Sequence, residues 1–182
     1  GGTITTVCTD YKVHTFTGPG TFTVTAAGTA AGSNTVDYMV VAGGGGGSGV
    51  FGNSHGAGGG AGGFRSSNDT CMSAPLTSPL ANPTGLTATV AAFPITVGAG
   101  GTGVPVSGPS TRNPGNNSIF STITSTGGGG GGSAQSPSVR PGEAGGSGGG
   151  GGGPSGSGGA GNTPPVSPPQ GQNGGSPSHA SP

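Results

Sequence analysis

Alternation of apolar and polar positions is brief in this chain, and wherever it stops glycine takes over. Residues 11–25, YKVHTFTGPGTFTVT, alternate with period two on both sides of Gly18-Pro19-Gly20 and are rich in β-branched and aromatic residues, which predicts a β-hairpin. In such a hairpin Phe16, Phe22 and Val24 cover one face and threonines the other. Residues 35–42, TVDYMVVA, predict a third strand with Val36, Tyr38 and Val40 on one side and Met39 and Val41 on the other. Apolar groups on both faces are the mark of a central strand. Residues 86–93 are strand-like, FPIT follows at 93–96, and SIFSTITST at 118–126 predicts one further strand packed through Ile119 and Ile123.

Three times a strand runs straight into glycine, at 36–47, 95–101 and 119–132. An α-helix loses roughly 1 kcal/mol per glycine relative to alanine, and a strand ladder gains nothing from residues without side chains. The remaining conformation is the extended threefold helix of the polyproline II type, rising about 3.1 Å per residue with its backbone groups unpaired. Several such helices side by side can pair N–H with neighbouring carbonyls, and glycine allows the close approach this needs. The expected fold is therefore mainly β and irregular, with short antiparallel strands framing a bundle of polyglycine II helices and no α-helix. We expect one composite domain over 1–182: a hairpin and third strand in 1–42, glycine helices at 43–63, 98–101, 127–132 and 142–175, and a long Ser/Thr/Asn/Pro-rich loop over 64–94. Runs such as 127–132 and 148–153 break any Gly-X-Y register and reject collagen.

Composition sharpens this picture. Glycine contributes 48 and proline 17 of 182 residues, whereas hydrophobic residues are 27% and charged residues 4%, so an apolar core within a charged shell cannot be built. Disorder is the alternative for such a chain, but a formal net charge of zero removes the self-repulsion that keeps disordered chains open. The four basic residues, Lys12, Arg65, Arg112 and Arg140, stand singly along the sequence, which excludes a nucleic-acid footprint or an anionic-membrane patch. No apolar run approaches the roughly 20 residues of a membrane-spanning helix.

Candidate chemistry is sparse. VDYMVVAGGGGGSG superficially matches a dinucleotide-binding turn, but no helix follows its glycines and no acidic residue stands about 20 positions on. His14, His55 and His179 lack ligand-spaced partners, and no base positioned by a carboxylate serves a serine, so we expect no catalytic residue, no metal and no cofactor. The sequons at Asn68-Asp69-Thr70 and Asn116-Asn117-Ser118 are read as coincidence in a chain so rich in Asn, Ser and Thr. Cys8 and Cys71 are either bridged, closing a loop of about 60 residues for roughly 2–4 kcal/mol, or two unrelated free thiols. The candidates for partner contact are Phe51, His55, Phe64, Arg65 and Arg112, aromatic or cationic side chains set among glycines and turns. The bland alternative is that Phe51 and Phe64 plug the bundle edge.

Taken together, KVHTFTGPGTFTVT, VDYMVVAGGGGGSG, GAGGGAGGFR, ITVGAGG, SIFSTITSTGGGGGG and GNTPPVSPPQGQNGG resemble the glycine-rich domain of bacteriophage tail-fibre and other virion surface proteins. The resemblance implies a β-framed polyglycine II sandwich on the virion exterior, with loops at the ends of the glycine helices contacting a host receptor. It makes a homo-oligomer or another fibre protein the expected partner, with a host cell-surface receptor beyond it. Two other functions compete with an adhesive fibre module: a self-assembling extracellular filament subunit, in which exposed backbone edges pair between copies, and an ice-binding protein presenting a regular glycine face.

Overall fold

The computed structural model describes residues 1–7, 11–29, 33–49, 55–68, 78–105, 111–135 and 137–177. Short strands make up its regular part: β1 (Thr3–Val7), β2 (Tyr11–Thr15), β3 (Gly20–Val24), β4 (Thr35–Val36), β5 (Met39–Val41), β6 (Phe64–Ser67), β7 (Ala81–Asn82), β8 (Leu86–Thr87), β9 (Ala91–Thr96), β10 (Ser118–Phe120) and β11 (Ile123–Ser125). Two single 3-10 turns, Pro137–Val139 and Gly153–Ser155, complete the set, and no α-helix occurs among the described residues.

The largest sheet has the order β11-β10-β9-β3, every pair antiparallel. Aromatic rings set its register. Phe22 lies directly opposite Phe93, and Phe120 of β10 meets both edge-on, with ring centroids 5.8 and 6.2 Å away. Here the structure departs from the predicted hairpin. β2 pairs with β1 over five residues and β3 pairs with β9, so Gly18-Pro19-Gly20 links two sheets rather than two partners. Phe16 accordingly does not share a face with Phe22; its ring covers Gly20, where a Cβ would stand 3.0 Å from Phe16 Cδ1.

Three further expectations change. The segment 35–42 divides between β4, paired with β8, and β5, which is the edge of the sheet β5-β6-β7 and not a central strand. Tyr38 and Val40 are buried, at 8% and 9% exposure, but Met39 and Val41 face outward at 70% and 49%. Only one face of β5 is covered, and it is covered by β10 and β11, where the fully buried Ser125 Oγ donates to the Val40 carbonyl at 2.7 Å. The predicted loop over 64–94 contains two unexpected strands, β6 and β7, because the Ser and Asn positions there serve as ladder partners, while β8 and the start of β9 fall in the stretch 86–93 read as strand-like. The single strand predicted over 118–126 is two strands, β10 and β11, folded back at Ser121, which holds a positive φ of 53°.

Beyond the sheets the backbone itself forms the interior. Extended segments at 42–49, 56–63, 98–104, 113–117, 126–133, 139–144, 147–152, 156–160 and 171–176 lie side by side and exchange hydrogen bonds with a period of three. In 147–152 the N–H groups point in strict rotation: 147 and 150 to the carbonyls of Ala61 and Gly58, 148 and 151 to Gln172 and Gly175, 149 and 152 to Glu143 and Arg140. In 42–49, residues 42, 45 and 48 donate to 63, 60 and 57 while 43 and 46 donate to 116 and 113. This is the threefold polyglycine II geometry. The fourth direction is closed by Cα–H groups. Where a Cβ would stand on Gly43, Gly45, Gly59, Gly127 or Gly128 there is instead the carbonyl oxygen of Ala99, Gly129, Gly45, Gly115 or Gly60.

The segment 126–133 is the centre of the bundle, hydrogen-bonded to five others: 42–49, 56–63, 113–117, 139–146 and 147–152. Residues 127–133 are all buried. Gln170, 3% exposed, ties this segment to the β region: its Oε1 accepts from the Thr126 N–H at 2.8 Å, its Nε2 donates to the Pro164 carbonyl at 3.1 Å, and its own carbonyl accepts from Phe64 N–H at 2.9 Å.

Candidate functional site

The strands sit at one end of the glycine segments, and the chain reverses direction at the other. Segments 42–49, 98–104 and 126–133 leave β5, β9 and β11, and their far ends meet. Ser48 joins three of the segments there: its Oγ accepts from Ala57 N–H at 2.7 Å and donates to the Gly132 carbonyl at 2.6 Å, while Gly132 N–H donates to Gly150 at 2.8 Å. The Pro105 carbonyl lies against Gly49, Ser133 N–H donates to Val139 at 2.8 Å, and Gly153 N–H donates to His55 at 3.1 Å. The turns Pro137–Val139 and Gly153–Ser155 therefore project from the same end as His55, with Pro137, Ser138, Pro154, Ser155 and His55 exposed.

This end also gathers charge that looked scattered in sequence. Arg112 Nε lies 3.6 Å from Glu143 Oε1, and Arg112 Nη1 donates to the Pro141 carbonyl at 3.0 Å. Arg140, on the segment that carries Glu143, donates from Nη1 to Ser155 Oγ at 3.2 Å. Arg112 and Glu143 thus form an ion pair, and Arg140 stands three residues before Glu143 on the same segment, turned to Ser155. Glu143 Oε2 and Arg140 Nε are buried without a hydrogen-bond partner among the described residues. The Glu143 carboxylate, with the backbone of Arg112 and Asn113, lies against one side of Gly130. Arg140 and Glu143 stand three residues apart, which on a threefold helix puts them on one side; that signal was legible, whereas the pairing of Glu143 with Arg112 was not.

The candidate contact residues divide between the two ends. His55 and Arg112 are at the turn end, His55 exposed and Arg112 held by Glu143 and Pro141. Phe64 and Arg65 are in β6 at the opposite end. Phe64, 38% exposed, lies opposite Val41 and shares its open face with Met39, and Arg65 Nη1 donates to the Thr124 carbonyl at 3.4 Å. Phe51 and both cysteines, Cys8 and Cys71, lie outside the described residues. Of the strand-packing residues, Tyr38 and Val40 are buried, while Phe16, Phe22, Val24, Ile119 and Ile123 are half-buried.

An open groove of about 340 Å³ lies between β2, β3 and β4 and is lined by Lys12, His14, Phe22, Val24 and Asn34 among others. His14 shapes it, standing edge-on to Phe22 at 5.0 Å with Nδ1 3.1 Å from the Gly1 carbonyl oxygen. Among the described residues, no three His, Cys, Asp or Glu side chains are grouped to hold a metal ion, and no helix is long and apolar enough to cross a membrane.

Comparison with known proteins returns no match among curated proteins and none among solved structures. A family model described as a glycine-rich domain matches residues 16–181, from just after β2 to the last glycine segment and beyond. The period-three hydrogen bonding and the strand-to-glycine junctions are thus properties of matched sequence, and the chain belongs to this glycine-rich domain family.

Proposed function

We propose that the chain is a non-enzymatic structural and adhesive module of an extracellular fibre, of the kind a phage tail fibre carries on the virion surface, in which a rigid glycine bundle displays receptor-contacting turns. The observation that carries this reading is the division of labour along the bundle. Backbone hydrogen bonds lock the segments together, the β-sheets occupy one end, and the exposed His55, Pro154 and Ser155 are presented at the other, with Arg140 bonded to Ser155 and the Arg112–Glu143 pair nearby. A scaffold that spends its side chains on the turns rather than on a core is suited to recognition by loops.

The test is binding of the fluorescently labelled chain to a panel of bacterial strains. Binding to a subset of strains is expected, weakened by a double variant His55→Ala, Pro154→Ala and unaffected by Met39→Glu at the opposite end. Absence of binding across the panel, or loss through Met39→Glu alone, would overturn the reading. A filament subunit is the second reading, favoured by the apolar face of Met39, Val41 and Phe64 at the β end. Concentration-dependent fibres seen by electron microscopy of the isolated chain would select it.

A further inference from the structure

β1 and β2 form a sheet of their own, and both strands are exposed along their length except at His14. Residues 3–15 precede the family match. A two-stranded ribbon is marginal in water without further pairing or packing. Its register places Val7 opposite Tyr11 and Thr5 opposite Val13, so Val7, Tyr11 and Val13 share one face with Thr3, Thr5 and Thr15; the three apolar residues are 45%, 51% and 46% exposed.

Both edges of the four-stranded sheet are covered. Gly1 lies against the Thr21 carbonyl on the free edge of β3, and β5, β6 and the Arg65 guanidinium close β11 at Thr124. The outer edge of β1, TITTV, has no such cover among the described residues, and it carries no charge, no proline and no bulge, the devices that keep edges from pairing. The outer edge of β2 differs, because Lys12 would bring two like charges together if two copies met there.

We infer that β1 pairs with β1 of a second copy, antiparallel across a two-fold axis, making one continuous sheet in the order β2-β1-β1-β2. Self-pairing of one edge is isologous and closes as a dimer. With Thr5 on the axis, Thr3 of each copy faces Val7 of the other, Ile4 faces Thr6, and no charge enters the junction. An axis perpendicular to the sheet keeps both Val7–Tyr11–Val13 clusters on the same face, where they extend one another. The inference concerns assembly and is independent of what the turn end contacts.

The experiment is sedimentation velocity of the full chain over a concentration series reaching about 1 mM, together with Thr5→Lys and Thr5→Glu, whose exposed site lets both fold. The wild-type chain is expected to pass from monomer to dimer. Each variant alone is expected to dimerise at least tenfold more weakly, because like charges meet on the axis, and an equimolar mixture of the two is expected to regain the dimer. Unchanged thermal midpoints confirm that the variants are folded. A wild-type chain that stays monomeric, variants that dimerise as well as wild type, a mixture that fails to rescue, or open-ended fibres in place of dimers would each overturn the two-fold β1 pairing.

Discussion

The central glycine segment 126–133 and the sheet β11-β10-β9-β3 are joined by a single residue step, yet they are held by opposite means. In the sheet, Phe22, Phe93 and Phe120 fill space, and order comes from what the side chains add. In the glycine segment, residues 127–132 carry no side chain, are buried, and hold their place because nothing separates their peptide groups from five neighbouring segments. The lesson is an inversion of sign. Removing carbon damages the sheet, and adding carbon damages the bundle.

The sharpest way to break the comparison is Gly129→Ala, whose Cβ would overlap the Glu143 carbonyl in a region where only backbone can yield. A loss of about 3 kcal/mol or more is expected, above the ordinary overpacking range because no side chain can rotate away. Chemical denaturation would measure it, and a change under 1 kcal/mol would refute the backbone-packed interior. Next comes the junction. Gln170→Leu keeps the volume but strands the buried Thr126 N–H, with an expected cost of about 2–3 kcal/mol in the same assay. Within the sheet, Phe22→Ala should cost about 2 kcal/mol, below the range for a fully buried phenylalanine because Phe22 is half-buried. The smallest effect has the opposite sign: Gly58→Ala meets nothing within 4 Å and is not at positive φ, so it should stabilise by about 0.4–1 kcal/mol through the unfolded chain. Thermal melts of Gly58→Ala and Gly129→Ala side by side would show whether position, and not glycine content, sets tolerance.

The junctions between strand and glycine were legible because the period of the sequence changes abruptly there, at Ala42, Val97 and Thr126. The alternation at 38–41 did not reveal which face is buried, since Met39 and Val41 are as apolar as Tyr38 and Val40 yet face outward. Partner choice was not legible. Any glycine run fits any other, so the arrangement is set by a few polar side chains that bond backbone far along the chain: Ser48 to Gly132, Asn117 Oδ1 to Gly127 N–H, Gln170 to Thr126. The β2–β3 hairpin was misread for a related reason, since local alternation says that a strand exists but not that a distant Phe93 makes the better neighbour for Phe22. At the turn end, the meeting of Arg112 with Glu143 depends on the fold bringing 113–117 beside 139–144 around the same central segment.

The rotation of the six N–H groups in 147–152 among three neighbours has a mechanical side. A β-strand pulled along its axis shears against the two strands flanking it, whereas this segment shears against five neighbours: its N–H groups donate to three, each engaged at every third residue, and its carbonyls accept from 126–133 and 156–160. Tension applied at one end is therefore shared around the cross-section instead of running down one seam, and a bundle wired in this way resists stretching as a cable does.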